Sequence, residues 1–386
     1  MTTDVLIDIS RLLGRGSQGR LPTGVDRVCL AYVQRWGARA QAVVQKGSWR
    51  RIFPYGESQE LFALLLDVPP NFARRVNWVI AKACVPPWPL QNAAGKPGLY
   101  LGHSGVEVRG FDQWARGTHQ QPVYFVHDLI PITHAEYCRE GEQTAHVQRL
   151  TAMLQTGAGL IGNSRFTLDA VEEFARHHGL PMPPAVVAPL APAPLPEIDR
   201  TASPLSQPYF VVLGTIEPRK NHLLLLNVWR ELVQRFGDAA PHLVVIGQRG
   251  WECENVVDML ERCEPLKPFV HEIAACSDAD LARYLRHARA LLFPSFVEGY
   301  GMPLVEALML GTPVVASDLT VFREIAGRIP DFLCPLDGPG WMQAVLDYTA
   351  TPSARREAQL GRMQGYRLPT WDEHFTQVEK LLGQLA

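Results

Sequence analysis

The sequence lacks the marks of several protein classes. Its seven cysteines are odd in number and never form a C-x-x-C pair, which argues against a zinc site or a disulfide framework and for a reducing compartment. Its net charge is only −2, without the basic excess of a nucleic-acid-binding protein. No apolar run approaches the roughly 18 residues of a membrane-spanning helix, and the N-terminus is acidic where a signal peptide is basic. We expect a cytoplasmic protein, either free or peripheral to the inner face of the cytoplasmic membrane.

Length and hydrophobic pattern predict two α/β domains. A chain of 386 residues is longer than one hydrophobic core usually serves. Short β-branched runs alternate with helix-period segments, which is typical of βαβ units on a parallel sheet. A proline-rich stretch between these runs predicts a linker. We predict a domain over 1–190, a linker over 191–207, a second domain over 208–368 and a terminal helix over 369–386.

A glycine motif near the N-terminus matches the dinucleotide-binding fingerprint only in its letters. The segment from Gly14 to Gly19 spells G-x-G-x-x-G after a predicted strand. A dinucleotide site also needs a helix opening on the glycines and an acidic residue about 20 positions on. The helix start is better placed at Thr23, with Asp26 in a capping position, and no acid follows before Glu57. The glycine segment is predicted to be a loop, either facing a cleft or on the surface.

Two adjacent cations follow a predicted strand in the second half of the chain. The strand ends at Gly214, and a helix is predicted from about Asn221, which leaves Arg219 and Lys220 at the mouth of the sheet. Cations beside the unpaired N–H groups of a helix start form an anion site, and a phosphate or diphosphate fits it best. The alternative is an ordinary solvated turn.

Two glutamates bracket a second loop of the same kind. The loop runs from Phe296 to Met302, Pro303 suits the first position of a helix, and Gly311 suits its end. Glu298 is therefore predicted in the loop and Glu306 in the first helical turn. A glycoside hydrolase would need an acid and a base on opposite sides of the bond, whereas these two share one loop and helix. The remaining alternative for Glu306 is to complement the helix dipole.

Four segments in this half together resemble a known family. They are G-T-I-E-P-R-K-N at 214–221, V-I-G-Q-R-G at 245–250, the segment 277–295, and E-G-Y-G-M-P-L-V-E at 298–306. In this order they resemble the retaining nucleotide-sugar glycosyltransferases of family four. That resemblance implies a GT-B fold, in which two Rossmann-like, doubly wound parallel-sheet domains face a central cleft and the terminal helix crosses back to the first domain.

The resemblance also implies roles for single residues. Arg219 and Lys220 match the pair that binds the donor diphosphate and stabilises the leaving group. Glu298 matches the contact to the donor sugar hydroxyls, and Glu306 the contact to the ribose. Further donor contacts are expected at Thr215, Gly247, His271, Ile273, Gly301, Met302, Pro303 and Leu304.

Similar segments in the first half imply a sugar contact and an acceptor site. The stretch Y-F-V-H-D-L-I-P-I-T-H-A-E-Y resembles the one that places a histidine against the donor sugar, so His127 matches that position. Its alternative is a structural hydrogen bond. Asp128 is predicted to orient an acceptor. Segments containing Gly24 and Arg165 resemble mannosyltransferases of bacterial surface polysaccharides and are assigned to the acceptor side.

The resemblance implies transfer of a hexose with retention of configuration, with mannose from GDP-mannose as the first choice, to a saccharide or lipid-linked saccharide. No cofactor is expected. No Asp-x-Asp motif lies in a loop after a strand, so metal independence is predicted, with the two cations and helix ends serving instead. UDP- or dTDP-sugars, a nucleotide-sugar epimerase, another GT-B enzyme and a non-catalytic subunit stay open. The sequence does not specify the acceptor, the linkage or the oligomeric state.

One helix has a composition that suits a membrane surface. Between residues 71 and 90, Arg74, Arg75 and Lys82 are interspersed with Trp78 and Trp88, as in a helix that lies on an anionic bilayer. The alternative is a core helix followed by a proline-rich turn.

Overall fold

The computed structural model describes residues 4–20, 22–83, 93, 95–102, 105–193, 195 and 203–385. The chain divides into two compact units. The first comprises residues 1–132, 140–190 and 370–386, and the second comprises residues 133–139 and 191–369. Residues 194 and 196–202 of the predicted linker lie outside the described part of the chain. Among the described residues, no helix is long and apolar enough to cross a membrane.

The first unit is built on a seven-stranded sheet with the order β3-β2-β1-β4-β5-β6-β7. All neighbours pair in parallel except β3, which runs antiparallel to β2 at one edge. The strands are β1 (Val5–Asp8), β2 (Ala40–Lys46), β3 (Trp49–Ile52), β4 (Pro97–Tyr100), β5 (Gln121–Val126), β6 (Gly159–Gly162) and β7 (Ala185–Val187). The central strands β1 and β6 are buried along their whole length, as expected where helices cover both faces of a parallel sheet.

Nine helices accompany this sheet in the described residues. They are α1 (Ser10–Ser17), α2 (Gly24–Trp36), α3 (Tyr55–Leu66), α4 (Phe72–Ala83), α5 (Phe111–Gly117), α6 (Ile130–Thr133), α7 (Glu142–Thr156), α8 (Arg165–His178) and α16 (Trp371–Leu385). In α4, the exposed face carries Trp78, which is 60% exposed. Residues 84–90 of the predicted membrane-facing segment lie outside the described residues.

The glycine motif is helical, so the predicted loop is wrong. Helix α1 includes Gly14 and Gly16, and only Gly19 lies beyond it, with φ +65°. The reason lies in side chains on either side of the glycines. Asp8 accepts the Ser10 N–H at 2.9 Å, which stabilises the helix start. Arg11 pairs with the buried Asp26 at 2.9 Å.

The predicted start of α2 at Thr23 is confirmed. Thr23 is the cap residue, its N–H donates to the Asp26 carboxylate at 2.7 Å, and the helix begins at Gly24. Arg11 and Arg15, one turn apart on α1, both pair with that carboxylate. The buried Asp26 therefore joins α1 to the start of α2.

The terminal helix α16 packs within the first unit. His374 is fully buried, and its ring nitrogens bond the Tyr32 hydroxyl at 2.9 Å and the Pro189 carbonyl at 3.0 Å. Phe375 lies edge-to-face with Trp36 at 4.9 Å between ring centroids. The helix thereby fixes the chain where it leaves the first sheet after β7.

The second unit contains a six-stranded, fully parallel sheet with the order β10-β9-β8-β11-β12-β13. Its strands are β8 (Tyr209–Leu213), β9 (His242–Ile246), β10 (Val270–Ile273), β11 (Leu291–Phe293), β12 (Val314–Ser317) and β13 (Asp331–Leu333). Its helices are α9 (His222–Phe236), α10 (Glu254–Arg262), α11 (Asp278–His287), α12 (Met302–Met309), α13 (Thr320–Ala326), α14 (Gly338–Thr349) and α15 (Ala354–Met363). This is the doubly wound order, with the reversal of strand order between β8 and β11.

A core of large side chains holds α9 against this sheet. Leu225, Trp229 and Leu232 recur at helical spacing on its buried face, which accounts for the long amphipathic helix predicted from the sequence. The Trp229 indole N–H donates to the Pro241 carbonyl at 2.7 Å. Helix α9 is thereby anchored to the segment that leads into β9, and its N-terminus is fixed near the end of β8.

Candidate active site

The candidate site lies where the strand order of the second sheet reverses. Strands β8 and β11 are parallel neighbours, so the loops that follow them, Gly214 to Lys220 and Pro294 to Gly301, leave the same edge of the sheet. Such an edge is where open α/β sheets bind ligands. The Phe296 N–H donates to the Arg219 carbonyl at 2.8 Å, which joins the two loops directly.

Three predicted residues from these loops meet in one buried ion cluster. The Lys220 Nζ donates to Glu298 Oε1 at 2.6 Å, and the Arg219 guanidinium donates to Glu298 Oε2 at 2.8 Å. Ser295 Oγ donates to Oε1 at 2.7 Å. Glu298 is 6% exposed and Lys220 8%. Oxygen Oε1 thus already accepts two hydrogen bonds, and Oε2 has room for one further donor.

The charges in the cluster decide which protonation states exist. Burial alone would raise the pKa of Glu298, but Arg219, Lys220 and the hydrogen bonds from Lys220 and Ser295 lower it to about 2. Burial lowers the pKa of Lys220, and Glu298 opposes that change. At neutral pH Glu298 is therefore an ionised carboxylate that cannot act as a proton donor.

A second carboxylate completes the cluster. Glu217 is 4% exposed and pairs with Arg219 at 2.7 Å. Burial raises its pKa, and Arg219 and Lys220 oppose that change. Each cation of the pair therefore has an acidic side chain beside it, so the cluster is organised but carries little net charge.

The local backbone explains why Lys220 points into the cluster. Pro218 to Lys220 form a single 3₁₀ turn, and Asn221 follows in the left-handed conformation with φ +55°. The Asn221 side-chain amide donates to the carbonyls of Pro294 and Pro335 at 3.2 and 2.8 Å. These bonds hold the turn to the loop after β11, as the cluster requires.

Glu306 is placed differently from the sequence prediction. Helix α12 begins at Met302 rather than Pro303, so Glu306 lies in its second turn and not in the first. Gly301, which precedes the helix, has φ +115°, a conformation that favours glycine. Glu306 is 5% exposed. A buried acid in the second turn is poorly placed merely to complement the helix dipole, whose effect falls off within the first turn.

Other predicted donor contacts are only partly brought together. Ile273 ends β10, and its carbonyl accepts the Gly247 N–H at 3.0 Å. A Cβ on Gly247 would lie 2.0 Å from the Gly214 carbonyl oxygen, so Gly247 lies directly against the loop that contains Thr215. The His271 ring bonds His242, the first residue of β9, at 2.8 Å, and its contact with the base stays a prediction.

His127 is a buried residue at the end of the first unit's strand β5. The His127 Nε2 bonds the Leu101 carbonyl at 2.8 Å, and the Asn163 side-chain amide donates to the main-chain carbonyl of His127 at 2.8 Å. Burial lowers its pKa to about 4, with Leu101 and Asp128 opposing the change. The ring is therefore neutral at physiological pH, able to exchange hydrogen bonds but not to supply a positive charge.

The predicted acceptor residues belong to three different elements of the first unit: the segment after β5, α2 and α8. Asp128 accepts the Ile130 N–H at 3.0 Å. Gly24 is the first residue of α2. Arg165 is an exposed residue that pairs with Asp169 and Glu172 on its own helix, at 3.0 and 2.9 Å. The acceptor role of all three stays a prediction.

Several contributors were missed from the sequence. Glu217 and Ser295 lie inside the quoted motifs, so their polarity beside Arg219 and Glu298 was a usable signal. Phe293, whose ring lies 5.1 Å from the Lys220 Nζ, gave no usable signal in the sequence. An aromatic residue at the end of a buried strand is usually a core residue. Tyr137, in the segment 133–139 of the second unit, stacks on Phe296 with parallel rings 5.3 Å apart. No group of three or more His, Cys, Asp or Glu that could hold a metal occurs in the part of the chain that the structure describes.

Comparison with protein families and curated sequences identifies relatives of part of this chain. Residues 196–328 match the model described as "Glycosyl transferases group 1". The serotype-specific mannosyltransferase WbdA of Escherichia coli is 30% identical over 218 residues, which are 53% of this chain and 26% of that protein. O-antigen chain mannosyltransferase B of Escherichia coli is 36% identical over 121 residues, 31% of each chain. The chain thus spans about a quarter to a third of the length of these relatives.

Solved structures match the chain over its whole length. Sucrose-phosphate synthase from Thermosynechococcus elongatus has a TM-score of 0.64 at 17% identity, covering 99% of this chain and 98% of its own. Anabaena HepE in complex with UDP and glucose has a TM-score of 0.66 at 14% identity, covering 98% of this chain and 99% of its own. Together with the two parallel sheets, these likenesses confirm the GT-B fold predicted from the sequence.

Proposed function

The chain contains a glycosyltransferase group 1 domain, and on that premise we propose that it is a retaining, metal-independent hexosyltransferase of bacterial surface polysaccharide synthesis. Its first-choice reaction moves mannose from GDP-mannose to a saccharide or lipid-linked saccharide. The observation that carries the proposal is the buried cluster of Arg219, Lys220 and Glu298 at the strand-order reversal of a doubly wound sheet.

The cluster suits the bond that the reaction must break. When the sugar–diphosphate bond breaks, its electron pair goes to the leaving phosphate oxygen, and the anomeric carbon becomes positively charged. Arg219 and Lys220 would stabilise the leaving charge from fixed positions, as preorganised electrostatic catalysis requires. The acceptor oxygen then bonds the same face of the anomeric carbon, and its proton passes to the leaving phosphate oxygen. These two cations would do the work for which other transferases use a metal, which supports the proposed metal independence.

Glu298 would orient the cations and the sugar rather than transfer a proton. With its pKa at about 2 it stays ionised at neutral pH, and Oε2 has room for one sugar hydroxyl as donor. Glu306 would accept the ribose hydroxyls from the second turn of α12. His127 would contact the donor sugar with its ring in the neutral form.

For the donor, the relatives favour mannose, and one similar structure supports a UDP-sugar as the alternative. The relatives WbdA and mannosyltransferase B are named as mannosyltransferases, which favours a mannose donor. HepE was solved with UDP and glucose, which keeps UDP-sugars as the alternative. Peripheral attachment at the membrane would use the face of α4 that exposes Trp78, with Arg74 and Arg75 beside it.

A panel of nucleoside diphosphates in thermal unfolding tests the donor site. A ligand that binds only the folded protein stabilises it by about 2.7 kcal/mol at a concentration of 100 Kd. We expect GDP to raise the unfolding temperature more than UDP or dTDP at equal concentration. Equal or larger shifts with UDP would replace GDP as the donor nucleotide, and no shift with any of them would remove the transferase assignment.

Lys220→Ala tests the catalytic pair. We expect this variant to lose sugar transfer and most nucleotide stabilisation because the leaving phosphate loses a fixed cation. Lys267→Ala is the matched control, since Lys267 is an exposed lysine of the same unit paired only with Glu264 at 2.6 Å. Retained transfer in Lys220→Ala would exclude the leaving-group role. Activity that disappears with EDTA and returns with Mg²⁺ would exclude metal independence.

A further inference from the structure

An aromatic ring lies beneath the Lys220 ammonium group. Phe293 is the last residue of β11 and is 1% exposed, and the Lys220 Nζ lies 5.1 Å from the centre of its ring. This distance is within the range over which a ring face attracts a cation. The stem of Lys220 runs along Gly214, where a Cβ would lie 3.3 Å from Lys220 Cε. The ammonium is thus bounded by a ring, a backbone segment and the Glu298 carboxylate.

A second ring fixes the first from behind. Phe322 of α13 is fully buried and stacks on Phe293 with 4.8 Å between centroids and 29° between planes. The same ring supports Gly301, because a Cβ there would lie 2.7 Å from Phe322 and 3.6 Å from Phe293. The two rings therefore lie under both anion-binding parts of the proposed site, the Lys220 ammonium and the backbone that opens α12.

We propose that Phe293 is a positioning residue of this site: its ring face holds the protonated Lys220 ammonium in place for a bound diphosphate, while Phe322 fixes the ring. The inference deepens the proposed function and rests on it. A leucine would keep the end of β11 apolar, as Leu291 and Leu292 do within the strand, but it has no negative ring face. The aromatic ring therefore adds an attraction for the ammonium to its packing against Phe322.

The charged groups around Lys220 define what the ring can change. Glu298 bonds the ammonium, and Arg219, Glu217 and His222 are its other charged or titratable neighbours. Burial lowers the pKa of Lys220. As the pH rises, Lys220 therefore begins to lose its proton at a lower pH than an ordinary lysine does. A ring face favours the protonated form, because it attracts a cation and not a neutral amine. Weakening the ring should therefore move the loss of nucleotide affinity to lower pH.

Progressive fluorination of the ring tests this without changing its size. Phe293 is replaced in the 386-residue chain by mono-, di- and trifluorophenylalanine, and GDP binding is measured by calorimetry across alkaline pH. We expect the dissociation constant of GDP to rise with each added fluorine, about tenfold over the series. The pH above which GDP binding weakens should fall along the same series. The matched control is the same series at Phe210, a fully buried residue of β8 that packs against Trp229 at 5.9 Å, where no change is expected.

A second measurement separates this inference from the proposed function. The chain has six lysines, so after reductive ¹³C-methylation the Lys220 signal can be identified by its absence in Lys220→Ala and titrated directly. If GDP, UDP and dTDP all fail to bind the wild type, the proposed function fails, and the Lys220 pKa then tests the ring contact alone. A fall in that pKa along the Phe293 series supports the inference. A constant pKa, or GDP affinity that is unchanged by fluorination, overturns it.

Discussion

Replacing Glu298 by glutamine removes one negative charge from the buried cluster and keeps the shape of the side chain. In Glu298→Gln, the amide still accepts a hydrogen bond, but Arg219 and Lys220 lose the carboxylate that bonds them at 2.8 and 2.6 Å. Because Lys220 is only 8% exposed, water does little to replace that partner. We expect the second unit to lose stability and the nucleotide site to lose its organisation together.

The pKa of Glu298 gives the size of the effect. It lies at about 2 against an ordinary value of 4.5, and one pKa unit corresponds to about 1.4 kcal/mol. The ionised carboxylate therefore contributes about 3 kcal/mol at neutral pH, close to the roughly 3–5 kcal/mol expected for breaking a buried ion pair. Because the folded-state pKa is lowered, this stability is fully present above 4.5 and is lost as pH falls through 2. At pH 3 about half of it remains.

Native-state hydrogen exchange in urea measures this prediction for the second unit alone. Peptides covering β8 and β11 report its unfolding free energy. We expect Glu298→Gln to lower that free energy by about 3 kcal/mol at pH 7 and by about half as much at pH 3. Glu231→Gln is the matched control, because Glu231 forms an exposed pair with Arg235 at 2.6 Å and should cost less than about 0.5 kcal/mol. A loss below about 1 kcal/mol, or an equal loss at both pH values, would refute the reasoning.

Three further substitutions test other parts of the molecule. Gly247→Ala should destabilise the second unit by more than about 3 kcal/mol, since its Cβ would lie 2.0 Å from the Gly214 carbonyl oxygen. Gly361→Ala, with open space around it in α15, should not destabilise the unit. Calorimetric melting compares the two variants. Asp26→Asn should cost the first unit about 2 kcal/mol or more in urea unfolding, because two arginines lose their buried partner. Tyr137→Leu should weaken GDP binding about two- to tenfold by removing the ring stacked on Phe296; unchanged affinity in calorimetry would show that the stack does not position the Glu298 loop.

Strands and helices of the second unit could be predicted because their signals agree with one another. Apolar runs such as Y-F-V-V-L at β8 are buried throughout, or nearly so, and α9 and α11 carry helical spacing with clear ends. Periodicity, caps and turn residues indicate the same elements there, so the alternation of strand and helix follows directly. The ends of β8 and β11 then indicate where the ligand loops lie.

The first unit shows where sequence reasoning failed and why. Helix α1 was missed because glycine is a poor helix former, and the contacts that outweigh it come from Asp8 and Asp26, on either side of the motif. Strand β3 was missed because W-R-R-I is short and charged, which suits an antiparallel edge. Strand β7 lies in the proline-rich stretch 182–208, just before the linker predicted over 191–207, and was missed because proline is rare in strands. In each case a tertiary contact outweighs the local preference.

Within the candidate site, residue types were predictable but partners were not. A motif places Arg219, Lys220 and Glu298 on loops, yet no spacing rule indicates that one carboxylate bonds both cations. His271 is a second residue whose type was predictable as a site residue but whose partner was not. Successive side chains of a strand point to opposite faces, and the ring of His271 meets His242. Its predicted contact with the base therefore depends on a register that the sequence does not reveal.

Glu298 is best understood through the hydrogen bonds that it can still accept. It has one position left, at Oε2, and its charge is held by two cations, so it has no proton to offer as the general acid of a hydrolase. A site whose acid cannot donate a proton and whose cations are fixed in place favours the departure of an anion over attack by an activated water molecule. In the proposed transferase, the leaving phosphate would then accept the proton of the incoming hydroxyl. The same ion cluster that organises the site therefore suits the proposed transfer better than hydrolysis.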